Sequence, residues 1–108
     1  MEKQIIHYYT VTGECPYNDW FNSLDKSVQL RVDKRVEKLR QGIYGDHHWL
    51  QKSELSELRM DFGKGYRIYY YDIDNTIILF VGGSEKKDQK KVIEQCNDYF
   101  KDFIERNS

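Results

Sequence analysis

Cysteine is scarce in this 108-residue chain: Cys15 and Cys96 stand far apart, and neither belongs to a CxxC pair. They support neither a disulfide framework nor a zinc site, and reduced thiols are expected. No apolar run approaches the roughly 20 residues that span a bilayer. Ile5-Ile6 after Met1-Glu2-Lys3-Gln4 is too short for the core of a signal peptide, so a cytoplasmic protein without a membrane partner is expected. Charge of one sign is lacking too: 17 Lys and Arg face 18 Asp and Glu, a formal net charge of -1, so any anion site must be local. GxGxxG, GxxxxGK[ST] and GxSxG are all missing, which leaves dinucleotide, P-loop and nucleophile-elbow chemistry without sequence support. Neither cysteine sits in a context that favours a catalytic thiolate. His7 is alone in its segment and His47-His48 have no third ligand at metal spacing, so no metal or cofactor is expected.

Aromatic residues make up 15% of the chain, with nine tyrosines, and charged residues 32%. This composition belongs to a folded chain of a size that supports one core, a single domain over 1–108. Residues 3–11 are rich in β-branched and aromatic side chains and read as a first strand ending at Thr12-Gly13. Pro16 suits the first turn of a short helix through Ser23. From Ser27 to Gln41 the period is helical: Val28, Val32, Val36 and Leu39 share one arc, and Arg31, Lys34, Arg35 and Lys38 another. Gly42 falls where a helix C-cap belongs. Three strands follow, near Glu54–Asp61, Tyr66–Asp72 and Thr76–Gly82, joined by hairpin loops at 62–65 and 73–75. An amphipathic helix over Asp88–Arg106 closes the chain. The expected architecture is α+β, a single sheet with helices packed on it in the order β-α-α-β-β-β-α.

Register then separates two faces. With Met60 opposite Tyr66, Leu58 faces Ile68 and Arg59 faces Arg67 on the other side of the sheet. Tyr66 and Tyr70 share the Ile68 side and are expected in the core, whereas Arg67 is expected to face solvent. Two opposed guanidiniums repel, so carboxylates must lie close by or a polyanion must bind. Glu57 and Asp61 satisfy the first alternative, and phosphate, which guanidinium binds bidentately, satisfies the second. Tyr69 and Tyr71 share the arginine face, either as stacking platforms for RNA bases or as packing beneath a helix. In Gly82-Gly83-Ser84-Glu85-Lys86-Lys87, the glycines allow close approach of a phosphate and the lysines supply charge, although a lysine-rich helix start also reads as a solvated face.

The run Glu57-Leu58-Arg59-Met60-Asp61-Phe62-Gly63-Lys64-Gly65-Tyr66-Arg67-Ile68-Tyr69-Tyr70, followed by Gly82-Gly83 and a Lys/Gln-bearing helix start, resembles the RelE/ParE superfamily of type II toxin–antitoxin toxins. The likeness is to its HigB-like, addiction-module killer branch and extends from Asp19-Trp20-Phe21 to about Asn97. It implies a small domain with a twisted antiparallel sheet whose concave face carries the active site. It further implies a ribosome-dependent mRNA endonuclease that cuts in the A site, without a metal, by attack of a ribose 2′-OH on the adjacent phosphate. Matched to the motif, Arg59 and Arg67 stabilise the transition state. Lys86 or Lys87 contacts phosphate or assists proton transfer; both remain candidates because the usual Gly-Gly-Asp-Lys is one residue longer here. Gln89 matches the glutamine near the start of the last helix. Tyr69, Tyr71, Gln89 and the Arg31/Lys34/Arg35/Lys38 face are the expected RNA contacts, the last acting electrostatically. The implied partner is a cognate antitoxin, usually a helix-turn-helix protein. A gyrase-inhibiting toxin of the same fold and a catalytically silent antitoxin-binding protein are the alternative readings.

Overall fold

The computed structural model describes residues 2–108. Its elements in chain order are β1 (Gln4–His7), α1 (Pro16–Asn22), α2 (Lys26–Arg40), β2 (His47–Trp49), β3 (Ser56–Met60), β4 (Tyr66–Asp72), β5 (Ile77–Glu85), a 3-10 turn (Lys86–Asp88) and α3 (Gln89–Arg106). The strands form one five-stranded sheet in the order β1-β5-β4-β3-β2. An α+β domain is thus what the periodicities describe, with two corrections. The sheet is mixed, because β1 lies parallel to β5 while the other pairs are antiparallel. His47–Trp49, expected as loop, is a short edge strand on β3. Three exposed residues carry no burial pattern from which to read it.

Helix ends follow local chemistry. Pro16 occupies the first turn of α1, where its missing N–H costs no helical bond. At the end of α2 the Gly42 N–H donates to the Leu39 carbonyl and the Ile43 N–H to the Lys38 carbonyl, both at 2.9 Å. That is the Schellman arrangement, and it requires the left-handed backbone that Gly42 adopts at φ 89°.

The sheet is buried on both faces. On one, Val32, Val36 and Leu39 of α2 and Tyr17 of α1 pack on Leu58, Met60, Tyr66, Ile68, Tyr70, Ile78 and Phe80. On the other, Cys96 and Phe100 of α3 cover Tyr69, Leu79 and Val81, together with Leu55 and Tyr8. The alternation breaks once, where Tyr69 pairs with Gly82 but Tyr70 with Phe80, leaving Val81 as an extra residue. Val81 and Gly82 therefore both turn toward α3, as a β-bulge allows. Among the described residues, no helix is long and apolar enough to cross a membrane.

His7 sits on β1 with its ring centroid 5.0 Å from that of Tyr17 and 5.8 Å from that of Phe80. Burial first, then the charge of Arg40, lower its pKa from 6.5 against the opposing effect of a hydrogen bond to Asn18. The unfolded chain then binds a proton that the folded chain resists, so this contribution is complete above about 6.5 and is lost as pH falls through the depressed folded value. The denaturation midpoint should drop on acidification through that window, and His7→Phe should flatten the drop. Parallel profiles for the two proteins would refute the assignment.

Candidate functional site

The register derived from the hairpin loop is the register of the molecule: Met60 pairs with Tyr66, Leu58 with Ile68, and Arg59 with Arg67. Ser84 of β5 extends the arginine rung, and the next rung carries Glu57, Tyr69 and Gly82. Two guanidiniums on neighbouring strands thus stand beside one carboxylate, and the carboxylate serves only one of them.

Glu57 is 1% exposed and both of its oxygens are engaged. Oε1 accepts from Arg59 Nε at 2.7 Å, and Oε2 accepts from Gln89 Nε2 at 2.7 Å. The hydrogen bond from Arg59 to Glu57 raises the pKa of Arg59 above its ordinary value. A buried carboxylate is tolerable only with such partners, and Gln89 at the start of α3 thereby ties the helix to the sheet.

Arg67 has no comparable partner. It is 5% exposed, and no carboxylate among the described residues lies within ion-pair distance. Its Nε is buried without a hydrogen bond, and Nη1 reaches only the Tyr66 carbonyl at 3.4 Å. Asp61, the second expected counter-charge, is exposed and pairs with neither arginine. The expectation that Arg67 faces solvent is therefore corrected, since the strand places it at a sheet interior flanked by β3 and β5. What emerges is a buried cation with one unmet donor, Nε, and no counter-charge within ion-pair distance among the described residues.

The lysines are distinguished by their neighbours. A side chain at Gly65 would meet Lys86 Cβ at 3.2 Å and Arg67 Nη1 at 3.6 Å, so Lys86 and Arg67 converge on that glycine. Lys87 lies 3.8 Å from Glu85 instead. Both are exposed.

Other expected contacts have different surroundings. Tyr69 is fully buried, with its hydroxyl 2.9 Å from Ser84 Oγ, and burial pushes the phenol up to about 12. Tyr71 is half-buried with its ring 4.5 Å from Phe100. The α3 layer covers both rings, so neither offers a face for a base as expected from their position on the strand. The Gly82-Gly83 pair likewise makes room for protein: a Cβ at Gly83 would sit 2.2 Å from Trp20 Cε3, and one at Gly82 would sit 2.8 Å from Cys96 Sγ. The basic set on α2 lies in the layer on the opposite side of the sheet from the arginine rung. Arg35 donates to the carbonyls of Arg59 at 2.7 Å and of Tyr44 and Asp46 at 2.9 Å, which makes it a backbone clamp rather than a free cation. Arg31 lies 3.6 Å above the Phe62 ring. Lys34 and Lys38 remain exposed beside a cleft of about 350 Å³.

The site is therefore Arg59, Arg67, Glu57 and Gln89, with Lys86 at its edge. Glu57 was legible only as a salt-bridge partner, two residues from Arg59 on one face. Its contact with Gln89, 32 residues away, has no sequence signal. A second groove, of about 760 Å³ and lined by Trp49, Phe100 and Ile104, contains none of these residues.

No family model matches the chain. It is similar to an uncharacterized protein of Haemophilus influenzae, 28% identical over 81 residues, which cover 74% of this chain and 81% of that protein.

Proposed function

We propose that the protein is the toxin of a type II toxin–antitoxin system, an endoribonuclease that cuts mRNA on the translating ribosome. The observation that carries this reading is Arg67, a buried guanidinium without a counter-charge, beside a second guanidinium on the same rung. A phosphodiester supplies what that rung lacks, because phosphate accepts bidentately from guanidinium and carries its charge into a site of low dielectric.

In the proposed reaction the ribose 2′ oxygen gives up its proton and bonds to phosphorus while the bond from phosphorus to the 5′ oxygen breaks. The products are a cyclic phosphate and a 5′-OH, the leaving oxygen having taken up a proton. Negative charge grows on the non-bridging oxygens, where Arg67 and Arg59 stabilise it. Arg59 is held in place by Glu57, and Glu57 by Gln89. Lys86 shares Gly65 with Arg67 and contacts the phosphate from the rim. Lys34 and Lys38 add electrostatic attraction to RNA from the opposite layer. Cytoplasmic action and neutralisation by a cognate antitoxin belong to the same reading.

A catalytically silent antitoxin-binding protein is the second reading, favoured by the Arg59–Glu57 ion pair, which already neutralises half of the rung. Mapping mRNA 5′ ends in a bacterial host separates the two. With wild type induced, new ends should appear within translated frames, vanish when initiation is blocked, and be absent with Arg59→Ala/Arg67→Ala. An intact transcriptome would leave the silent reading standing.

A further inference from the structure

Arg31, Lys34, Arg35 and Lys38 form one stripe on α2, at the i, i+3, i+4 and i+7 spacing of a helix face. Like charges at that spacing repel, and among the described residues none of the four has a carboxylate within ion-pair distance. The chain carries a formal net charge of -1, so the stripe is a local concentration and not part of a general excess. Together with Asp61 and Phe62 it lines the cleft of about 350 Å³. Arg31 is held over the Phe62 ring, and Arg31, Lys34 and Lys38 are exposed. Arg35 belongs to two places at once. It lines the cleft, yet its Nη1 donates to the Arg59 carbonyl at 2.7 Å and its Nη2 to the carbonyls of Tyr44 and Asp46 at 2.9 Å. The Arg59 N–H donates in turn to the Asp46 carbonyl at 2.9 Å. Gly45 leaves room for this clamp, since a Cβ there would lie 2.9 Å from Arg35 Nη2. One guanidinium thus joins the basic stripe to the backbone of a rung residue.

We propose that the cleft binds the phosphate backbone of a second RNA segment and that Arg35 couples its occupancy to Arg59, an inference that rests on the phosphodiester reading above. The sheet separates cleft from rung, so the phosphate bound here is not the one that is cut. The stripe runs about 10 Å along the helix axis, which suits a repeating charge better than a single ion. Arg31 offers a planar fork and the lysines point charges, and phosphate accepts from both. A protein that cuts on the ribosome lies against structured RNA while it acts, which makes a phosphate backbone the ligand in preference to an acidic peptide. The coupling follows from the state of Arg35. It is half-buried, its acceptors are neutral carbonyls, and burial above all lowers its pKa, against the opposing charges of Asp46, Tyr70 and Asp61. A phosphate in the cleft stabilises the cation in its clamped place more than one turned out to water, and so shifts the population toward the closed clamp. With the clamp closed, the strand that carries Arg59 is fixed.

NMR on the intact labelled protein tests this at the Nε–H signals of Arg35 and Arg59. A blunt RNA duplex of about one helical turn, which presents phosphates but no single strand, should move both. Lys34→Gln/Lys38→Gln should weaken the duplex about tenfold, cut the slope of its salt dependence by about 2 and abolish the Arg59 shift. Arg35→Lys keeps the charge and loses the fork, so the duplex should bind within about twofold of wild type while Arg59 no longer responds. In ribosome-dependent cleavage the same variant should lower kcat and leave KM little changed. Gly45→Ala keeps every charge and displaces the guanidinium, and should uncouple Arg59 in the same way. A duplex that leaves Arg35 unmoved, or an Arg59 that still responds in Arg35→Lys, overturns the proposal. So does a hexaglutamate peptide that binds the stripe more tightly than the duplex. If wild type cuts no mRNA while the duplex moves both arginines, the endonuclease reading fails by itself and the coupled cleft stands.

Discussion

Arg67→Met should raise the stability of the protein and abolish RNA cleavage in the same substitution. Arg67 is 5% exposed, its Nε has no partner, and no carboxylate among the described residues compensates its charge. The folded state carries a desolvated donor that the unfolded chain hydrates. Leaving such a donor unmet costs about 1–3 kcal/mol, more when it is charged. Arg59 opposite adds like-charge repulsion. Methionine retains much of the aliphatic stem and removes both terms. A gain of about 1–3 kcal/mol is expected in denaturant unfolding, a rise of several degrees in Tm for a domain of this size. Arg59→Met should have the opposite sign. It takes from Glu57 one of two partners and leaves a buried carboxylate half satisfied, a loss of about 1–3 kcal/mol given that Arg59 is itself 36% exposed. Both variants should lose cleavage, so opposite stabilities with a common loss of activity would mark a rung held for an anion. A destabilised Arg67→Met that still cuts RNA would remove the basis of the proposal.

Much of this site was legible because two-residue periodicity assigns side chains to faces, and a short loop assigns register. Those two facts place Arg59 opposite Arg67 and send Tyr66, Ile68 and Tyr70 into the core together. They do not say what covers each face. Tyr69 and Tyr71 share the arginine face, yet α3, joined to the sheet only after β5, lies over that part of it. Arg67 and Tyr69 are buried on this face and Tyr71 is half-buried, and no local pattern in β4 announces that cover. The parallel pairing of β1 with β5 is hidden for a related reason, since it joins residues more than 70 positions apart. The resemblance-derived expectation of an antiparallel sheet fails at this edge strand alone. Glu57 shows the same limit at the level of chemistry. Its ion pair with Arg59 follows from spacing, whereas the Gln89 contact that fills its second oxygen depends on how α3 docks.

The Gly-Gly pair at the end of β5 leads to the largest loss of stability expected from a single methyl group. Glycine at a strand interior reads as backbone permissiveness, or as room for a ligand, and here the room is taken by protein. A Cβ at Gly83 would lie 2.2 Å from Cε3, 2.4 Å from Cδ2 and 2.7 Å from Cζ3 of Trp20. These atoms belong to a rigid bicyclic ring on α1, packed against Tyr17 with centroids 5.7 Å apart, and cannot yield by a rotation at a flexible tip. Either the ring leaves its place or α1 lifts from the sheet, so Gly83→Ala should cost about 3 kcal/mol or more, at the upper end of overpacking effects. Gly82 is the internal control. Its Cβ would meet only Cys96 Sγ, at 2.8 Å, the end of one short side chain. Gly82→Ala should therefore cost less and be largely rescued by Cys96→Ala. The corresponding rescue at Gly83 is Trp20→Ala, which opens the space but forfeits the burial of the indole, so the double variant should recover part of the loss and remain below wild type. Such non-additivity is the signature of a direct contact. Additive losses at Gly83 and Trp20 would mean that the ring does not occupy the space above the glycine.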